Sequence, residues 1–179
     1  MNHEVAGVLL RRPESRDAQA LYSQKNDMDV ASLLGGFSKG YSAADIAGWI
    51  EAHRNRSDEA LFVIADGSTD ACLGHVGLYN IDHRIRSAEF AIMIGEKEAW
   101  GRGLGRAITA HMLEYGFRWL NLNRIELTVL ASNTRAIALY EKLGFAHEGV
   151  KRQAQYKAGQ YVDVCLMAKL REDLDADDS

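Results

Sequence analysis

Phe90-Ala91-Ile92-Met93-Ile94, then Gly101-Arg102-Gly103-Leu104-Gly105-Arg106, then Asn133-Thr134-Arg135-Ala136-Ile137-Ala138-Leu139-Tyr140-Glu141-Lys142-Leu143-Gly144-Phe145 is the stretch whose reading decides the fold. The first run is strand-like, the glycines form a turn that opens a helix, and the last run is a second helix carrying Asn133 and Tyr140. Leu104, Ile108, Met112, Tyr115 and Trp119 make one apolar stripe, which predicts a helix over 103–120. Ile125, Leu127 and Val129 alternate with Glu126 and Thr128, which predicts a strand over 124–130. The helix over 134–143 ends at Gly144, a residue suited to a left-handed cap. Strand, helix, strand and helix in this order imply a right-handed crossover between two strands of one sheet.

Working outward, Val8 to Arg12 reads as a strand and Pro13 stands where a helix can begin, with Asp17 to Ser23 continuing it. Ile46, Trp49 and Ile50 repeat at helical spacing over 43–55, with Ser42 as the cap. Three strand-like runs follow at 61–65, 71–79 and 87–94, separated by Asp66-Gly67-Ser68 and by the polar stretch 82–86; they predict an antiparallel meander. The runs 146–157 and 160–170 flank Ala158-Gly159 and form a hairpin. The sum is a mixed α/β sheet of roughly seven strands with helices on both faces. One domain is expected over 1–171, with an acidic tail over 172–179 that frays.

A chain of 179 residues that is 47% hydrophobic suffices for one such core. The net charge of -4 and the scattered Lys and Arg residues give no footprint for nucleic acid. No apolar run approaches the ~20 residues of a membrane span, and Val5 to Leu10 precedes Arg11-Arg12, the wrong order for a signal peptide. A soluble, cytoplasmic protein with no membrane partner is expected. Cys72 and Cys165 show neither a CxxC spacing nor a histidine cluster, so no disulfide framework and no metal are expected.

Chemistry enters at the glycine turn. A helix N-terminus has unpaired amides and a partial positive charge, and glycines let an anion come close to the backbone. Arg102 and Arg106 add charge there, and the spacing fits neither the dinucleotide GxGxxG pattern nor a P-loop. Tyr140 lies about two turns after Asn133, on nearly the same helix face. Taken singly, Asn133 reads as a helix cap and Tyr140 as a core residue.

Taken together, these segments resemble the GNAT family of N-acetyltransferases. Trp100, Gly103 and Gly105 fall on the Q/R-x-x-G-x-G/A pattern, with Trp100 as the departure. Asn133, Ala136, Tyr140, Gly144 and Phe145 match N-x-x-A-x-x-x-Y-x-x-x-G-F in full. The resemblance implies the acyl-CoA N-acyltransferase fold and acetyl-CoA as co-substrate. It also implies a binding set of Ile92, Met93, Ile94, Gly101, Arg102, Gly103, Leu104, Gly105, Arg106, Asn133 and Tyr140. A backbone donor on the 92–94 strand would serve the oxyanion, Tyr140 would be the general acid, and transfer would be direct in a ternary complex. The runs Ile92-Met93-Ile94-Gly95, Trp100-Gly101-Arg102-Gly103 and Tyr161-Val162-Asp163-Val164 are most similar to the branch acting on ribosomal-protein N-termini, polyamines or amino sugars. Family members often pair through the C-terminal strands, so a homodimer is expected, with Val162, Val164, Leu166 and Ala168 on one face.

An amine acceptor with a pKa near ~8 to ~10 must lose a proton before attack, so a base or water chain is required. Glu89, on the strand face of Ala91 and Met93, would be that base if burial raised its pKa; a salt bridge to Arg86 or Arg124 is the equal alternative. His75, on the face of Tyr79, is the second candidate. Phe37, Tyr41, His75, Tyr79 and Tyr156 are the expected acceptor contacts. A catalytically silent acyl-CoA-binding module, or a transferase for another acyl-CoA, carries the same motifs.

Overall fold

Residues 2–36 and 39–173 are described by the computed structural model. Among them eight strands form one sheet: β1 His3–Val5, β2 Val8–Arg11, β3 Ala60–Asp66, β4 Cys72–Asp82, β5 Ser87–Ile94, β6 Arg124–Leu130, β7 Ala146–Lys157 and β8 Gln160–Leu170. The helices are α1 Ala18–Asn26, α2 Met28–Leu33, α3 Ala43–Ala52, α4 Leu104–Glu114 and α5 Thr134–Lys142. Spatial order runs β1-β2-β3-β4-β5-β6-β8-β7. Only β5 and β6 pair in parallel, and α4 is the crossover between them.

β3 is apolar at almost every position because both of its faces are covered. On one face Leu104, Ile108, Met112 and Phe117 pack against Phe62, Leu78, Phe90 and Ile125. On the other, Leu21, Val30, Ile46 and Ile50 of α1 to α3 cover Val63, Ala65 and Met93. Helices thus lie on both faces, as the periodicity predicts.

Several elements differ from the sequence expectation. The eighth strand, β1, has only three residues, too few to show alternation, and turns into β2 through Ala6 and Gly7, both at positive φ. Pro13 opens no helix: the chain stays extended to a 3-10 turn at Ser15–Asp17, and α1 begins at Ala18. α2 is an added helix, capped by the Asp27 carboxylate accepting from the amides of Asp29 and Val30. α3 stops at Ala52, and Ser42 with Asp45 forms a capping box at its start.

Trp119 leaves the apolar stripe and is 70% exposed. The reason is a π-helical turn at Tyr115–Trp119, in which the Leu120 amide bonds the Tyr115 carbonyl. The wider turn shifts the helical phase, so Phe117 points inward in its place. At the C-terminus the Asp173 carboxylate accepts from the Leu170 amide, so the tail is held to that point. Its remainder, 174–179, lies outside the described residues. Among the described residues no helix is long and apolar enough to cross a membrane.

A buried ion pair docks α1 on the sheet. Arg11 of β2 donates to both Asp17 oxygens at 2.9 and 2.8 Å, and its Nε donates to Asp70 at 2.7 Å. Asp17 also accepts from the Glu14 amide at 2.8 Å.

Candidate active site

β5 and β6 pair only through Ser87↔Arg124, Ala88↔Ile125 and Glu89↔Glu126. Beyond that point they part, although β5 stays paired to β4 as far as Ile94 and β6 stays paired to β8 as far as Leu130. The facing edges of 90–94 and 127–130 therefore present peptide groups to a wedge between the strands. Unpaired backbone groups require partners, so a wedge of this kind suits an elongated ligand that carries amides of its own. It opens into a cleft of about 1300 Å³ lined by Ile92, Met93, Ile94, Asn133 and Tyr140.

The glycine turn stands at one end of this wedge. Gly101 and Gly103 both have φ near +79°, in the left-handed region, and Gly103 is the residue before α4. No side chain caps α4, and its first bond runs from the Ala107 amide to the Gly103 carbonyl at 3.2 Å. The amides of Leu104, Gly105 and Arg106 are left for an anion at the positive end of the helix. A Cβ on Gly105 would meet Leu139 at an ordinary 3.5 Å, so the fold itself would admit a side chain there. The openness serves whatever those amides bind. Trp100, the departure from the family pattern, donates its indole N–H to the Ile94 carbonyl at 2.7 Å and so ties the turn to the end of β5.

Gly103, Leu104, Gly105 and Arg106 line the cleft, whereas Arg102 is exposed and does not. Of the two arginines expected to add charge at the turn, Arg106 is the one that lines the cleft. Gly103→Val would force a β-branched residue into a left-handed conformation at the helix start. The expected result is a loss of acetyl-CoA affinity of about tenfold, from ~1–2 kcal/mol of backbone strain, read by calorimetry.

Asn133 caps α5, accepting from the Ala136 amide at 3.2 Å, and its Nδ2 donates to the Leu33 carbonyl at 3.3 Å. Both polar ends of its side chain hold protein, which is the capping role that the residue alone suggests. Two turns on, Tyr140 packs edge-to-face on Phe90 and Phe145 at 6.3 and 5.6 Å while lining the cleft. Burial pushes its phenol up to about 12.

The face carrying Glu89, Ala91 and Met93 forms the other wall. Glu89 lines the cleft but is exposed, so the burial that would activate it is not there. Nor does it make either expected salt bridge. Arg124 is engaged by Glu126 at 2.8 Å and Glu148 at 2.7 Å, and Arg86 donates to Asn121. Glu89 has no ion pair among the described residues. His75 is buried, with Nδ1 3.4 Å from the Tyr79 hydroxyl. Burial holds this imidazole neutral well below the usual histidine range, with Lys25 and His53 adding to the effect. A Cβ on Gly77 would lie 2.8 Å from the Tyr79 ring, so that glycine gives the ring room to lean toward His75.

Tyr41, His75 and Tyr79 line the cleft as expected acceptor contacts. Tyr156 does not: it is 62% exposed and stacks on Tyr161 across the β7–β8 turn. Phe37 lies outside the described residues. Residues that sequence reasoning missed complete the wall. The Glu59 carboxylate is 2% exposed, near His53 at 3.4 Å and Arg56 at 3.5 Å, and the Lys25 ammonium lies 4.7 Å from the Trp49 ring centre. One signal was available. Lys25 follows the fully buried Leu21 by one helical turn, which places it on the inward face of α1.

A wedge opened in a sheet beside an uncapped glycine-led helix suits the acyl-CoA that the family resemblance implies. The comparisons agree: the model of the acetyltransferase (GNAT) domain matches residues 8–146. A spermidine N(1)-acetyltransferase of Vibrio cholerae serotype O1 is 33% identical over 161 residues, covering 89% of this chain and 91% of that one. A putative ribosomal N-acetyltransferase of Bacillus subtilis, YdaF, is 27% identical over 174 residues, covering 93% and 92%. The crystal structure of the Vibrio cholerae spermidine N-acetyltransferase in complex with CoA and spermine superposes with a TM-score of 0.86 at 30% identity, covering 94% of this chain and 98% of that one. The chain belongs to the GNAT family and is an N-acetyltransferase.

Proposed function

We propose that this enzyme moves an acetyl group from acetyl-CoA directly to a primary amine within a ternary complex. The observation that carries the reading is the unpaired wedge between β5 and β6, with the glycine-led helix start at one end and Tyr140 on its wall. Acetyl-CoA supplies an activated acyl carbon and a thiolate leaving group with a thiol-like pKa near ~8.5. The residues fit it: amides of Leu104, Gly105 and Arg106 for the phosphates, and free peptide edges for the amides of the arm.

The remaining work falls to the protein. A peptide N–H in the 92–94 segment stabilises the oxyanion, and a donor fixed in a strand needs no reorganisation as charge develops. Tyr140 Oη gives its proton to the departing sulfur; with its phenol near 12 it is fully protonated at neutral pH. The acceptor ammonium loses its proton to water in the open cleft, because Glu89 lines that cleft but lacks the burial that would make it the base.

The relatives named for spermidine support a small amine as acceptor, and a protein N-terminus or an amino sugar belongs to the same chemical class. Release of CoA thiol, with acetyl-CoA as donor and spermidine, an amino sugar nucleotide, amino acids and Ser- or Ala-starting peptides as acceptors, tests the reading. Turnover with any member supports it. Silence across the panel, with acetyl-CoA binding shown by calorimetry, overturns it in favour of a silent binding module. The two free buried thiols, Cys72 and Cys165, suit a reducing cytoplasm, the compartment proposed here.

We also propose a homodimer formed along β7. Among the described residues this strand ends the sheet and leaves one edge without a strand partner, beside the exposed Val150, Tyr156 and Tyr161. Light scattering at micromolar concentration is expected to give about twice the 19.9 kDa chain mass, and a monomeric mass overturns the proposal.

A further inference from the structure

Lys25 is the least explained charge in the cleft. It rises from the inward face of α1 into the acceptor side of the cavity, where its ammonium lies 4.7 Å from the Trp49 ring centre and 5.8 Å from that of Tyr41. Two hydrogen bonds fix Tyr41 there. Asn26, next to Lys25, accepts from the Tyr41 amide at 2.8 Å and donates to the Tyr41 carbonyl at 3.0 Å. Trp49 is held in turn by edge-to-face contact with His53 at 4.6 Å and by His75 at 5.1 Å. The lysine is thus framed by rings set in place by other contacts.

Aromatic faces attract a cation, but they do not neutralise it. Arg56 and Arg124, which line the same cleft, are neutralised. Arg56 pairs with Asp58 at 2.6 Å and with Glu59, and Arg124 pairs with Glu126 and Glu148. Lys25 has no ion pair among the described residues. Burial lowers its pKa from the ordinary lysine value, the mark of a charge taken from water without an anion to receive it. Lys39, 6.0 Å from the outer Tyr41 ring centre, adds a second positive charge at the same aromatic group.

We propose that Lys25 receives a carboxylate carried by the acceptor, so that the preferred acceptor is an amino acid rather than a polyamine. This rests on the transferase reading above and assigns the acceptor class to the same cleft. A carboxylate beside Lys25 supplies the missing anion in a site already partly shielded from water, where a charge-assisted hydrogen bond is strong. A polyamine placed there would bring a second cation against an unpaired one. Lys25 is a specificity residue that holds the acceptor while its amine is turned toward the acyl carbon.

The test compares acceptors that differ only in this group: the set of amino acids, the same compounds as α-carboxamides, and spermidine, each with acetyl-CoA and thiol release as readout. The wild-type enzyme is expected to prefer the acids over their amides by about tenfold to a hundredfold in kcat/KM, the range for a hydrogen bond to a charged group. Lys25→Gln should bring the acid-to-amide ratio to near one, chiefly through the KM of the acids, and Lys25→Arg should restore part of it. Acetyl-CoA affinity by calorimetry and the thermal midpoint report whether each variant is folded. Spermidine or the amides outrunning the acids in the wild-type enzyme overturns the proposal while leaving the transferase reading intact. An acid preference that survives Lys25→Gln in a folded variant also overturns it. Silence with every acceptor, acetyl-CoA binding being present, overturns the transferase reading and this proposal with it.

Discussion

Tyr140→Phe is expected to lower kcat by about 10²- to 10⁴-fold at pH 7, the range that a positioned proton donor contributes. The change removes one oxygen from a ring whose position is set by Phe90 and Phe145, so packing and acetyl-CoA binding should hold. A fall in kcat and in kcat/KM together marks an interaction made in the transition state. The pH profile adds a second readout. Burial raises the phenol to about 12, so its donating form is complete throughout pH 6 to 9 and the wild-type rate should show no descending limb from Tyr140 in that window. Steady-state rates of the variant across the same range decide the matter. A kcat within a few-fold of wild type at saturating acetyl-CoA would remove Tyr140 from the acid role.

Asp17→Ala is the second large effect, on stability. Arg11 and Asp17 are 5% and 2% exposed, and the pair is bidentate. Removing the carboxylate leaves a buried guanidinium with Asp70 as its remaining ion-pair partner. Breaking a buried pair from one side costs about 3–5 kcal/mol. For a chain of this size the melting temperature should drop on the order of ten degrees. Thermal unfolding followed by circular dichroism measures the shift, and a midpoint within one degree of wild type would show that Arg11 is resolvated instead. Acceptor kinetics should suffer as well, because α1 carries Gln24, which donates to the Cys72 carbonyl at 2.9 Å, and Lys25 beside it.

Local chemistry made much of the fold readable. The bounds of β6, β7 and β8 coincide with those drawn from alternation and from the Ala158-Gly159 turn, both of whose residues take positive φ. α5 and its cap were legible because an Asn at the start and a glycine past the end are short-range signals. β1 was not, since three residues carry no periodicity and its register comes from β2. The π-helical turn was not, because its cause is tertiary. A Cβ on Gly116 would come within 2.6 Å of Ile125, and Phe117 fills the core in place of Trp119.

The site divides in the same way. Its glycine turn and the Asn133 to Phe145 run are contiguous in sequence and were named at once. Glu59 and His53 come from a loop and a helix end, so no spacing announces them, and Lys25 is marked only by its one-turn step from Leu21. Glu89 shows the converse. Its face was assigned by strand alternation, but its exposure depends on the wedge, which begins one residue beyond it.

That wedge gives the sheet a hinge at the Glu89–Glu126 step, and a hinged plate would be free to gape were it not strapped. α2 is the strap. Through Val30 it sits with the layer that covers β3 and Met93, while its far end is hooked to the other half by Asn133 at Leu33 and by Lys157 of β7 at Ala31 and Gly36. The same asparagine that starts α5 therefore also ties α2 to the far side of the wedge, and a short helix absent from the sequence reading bridges the two half-sheets.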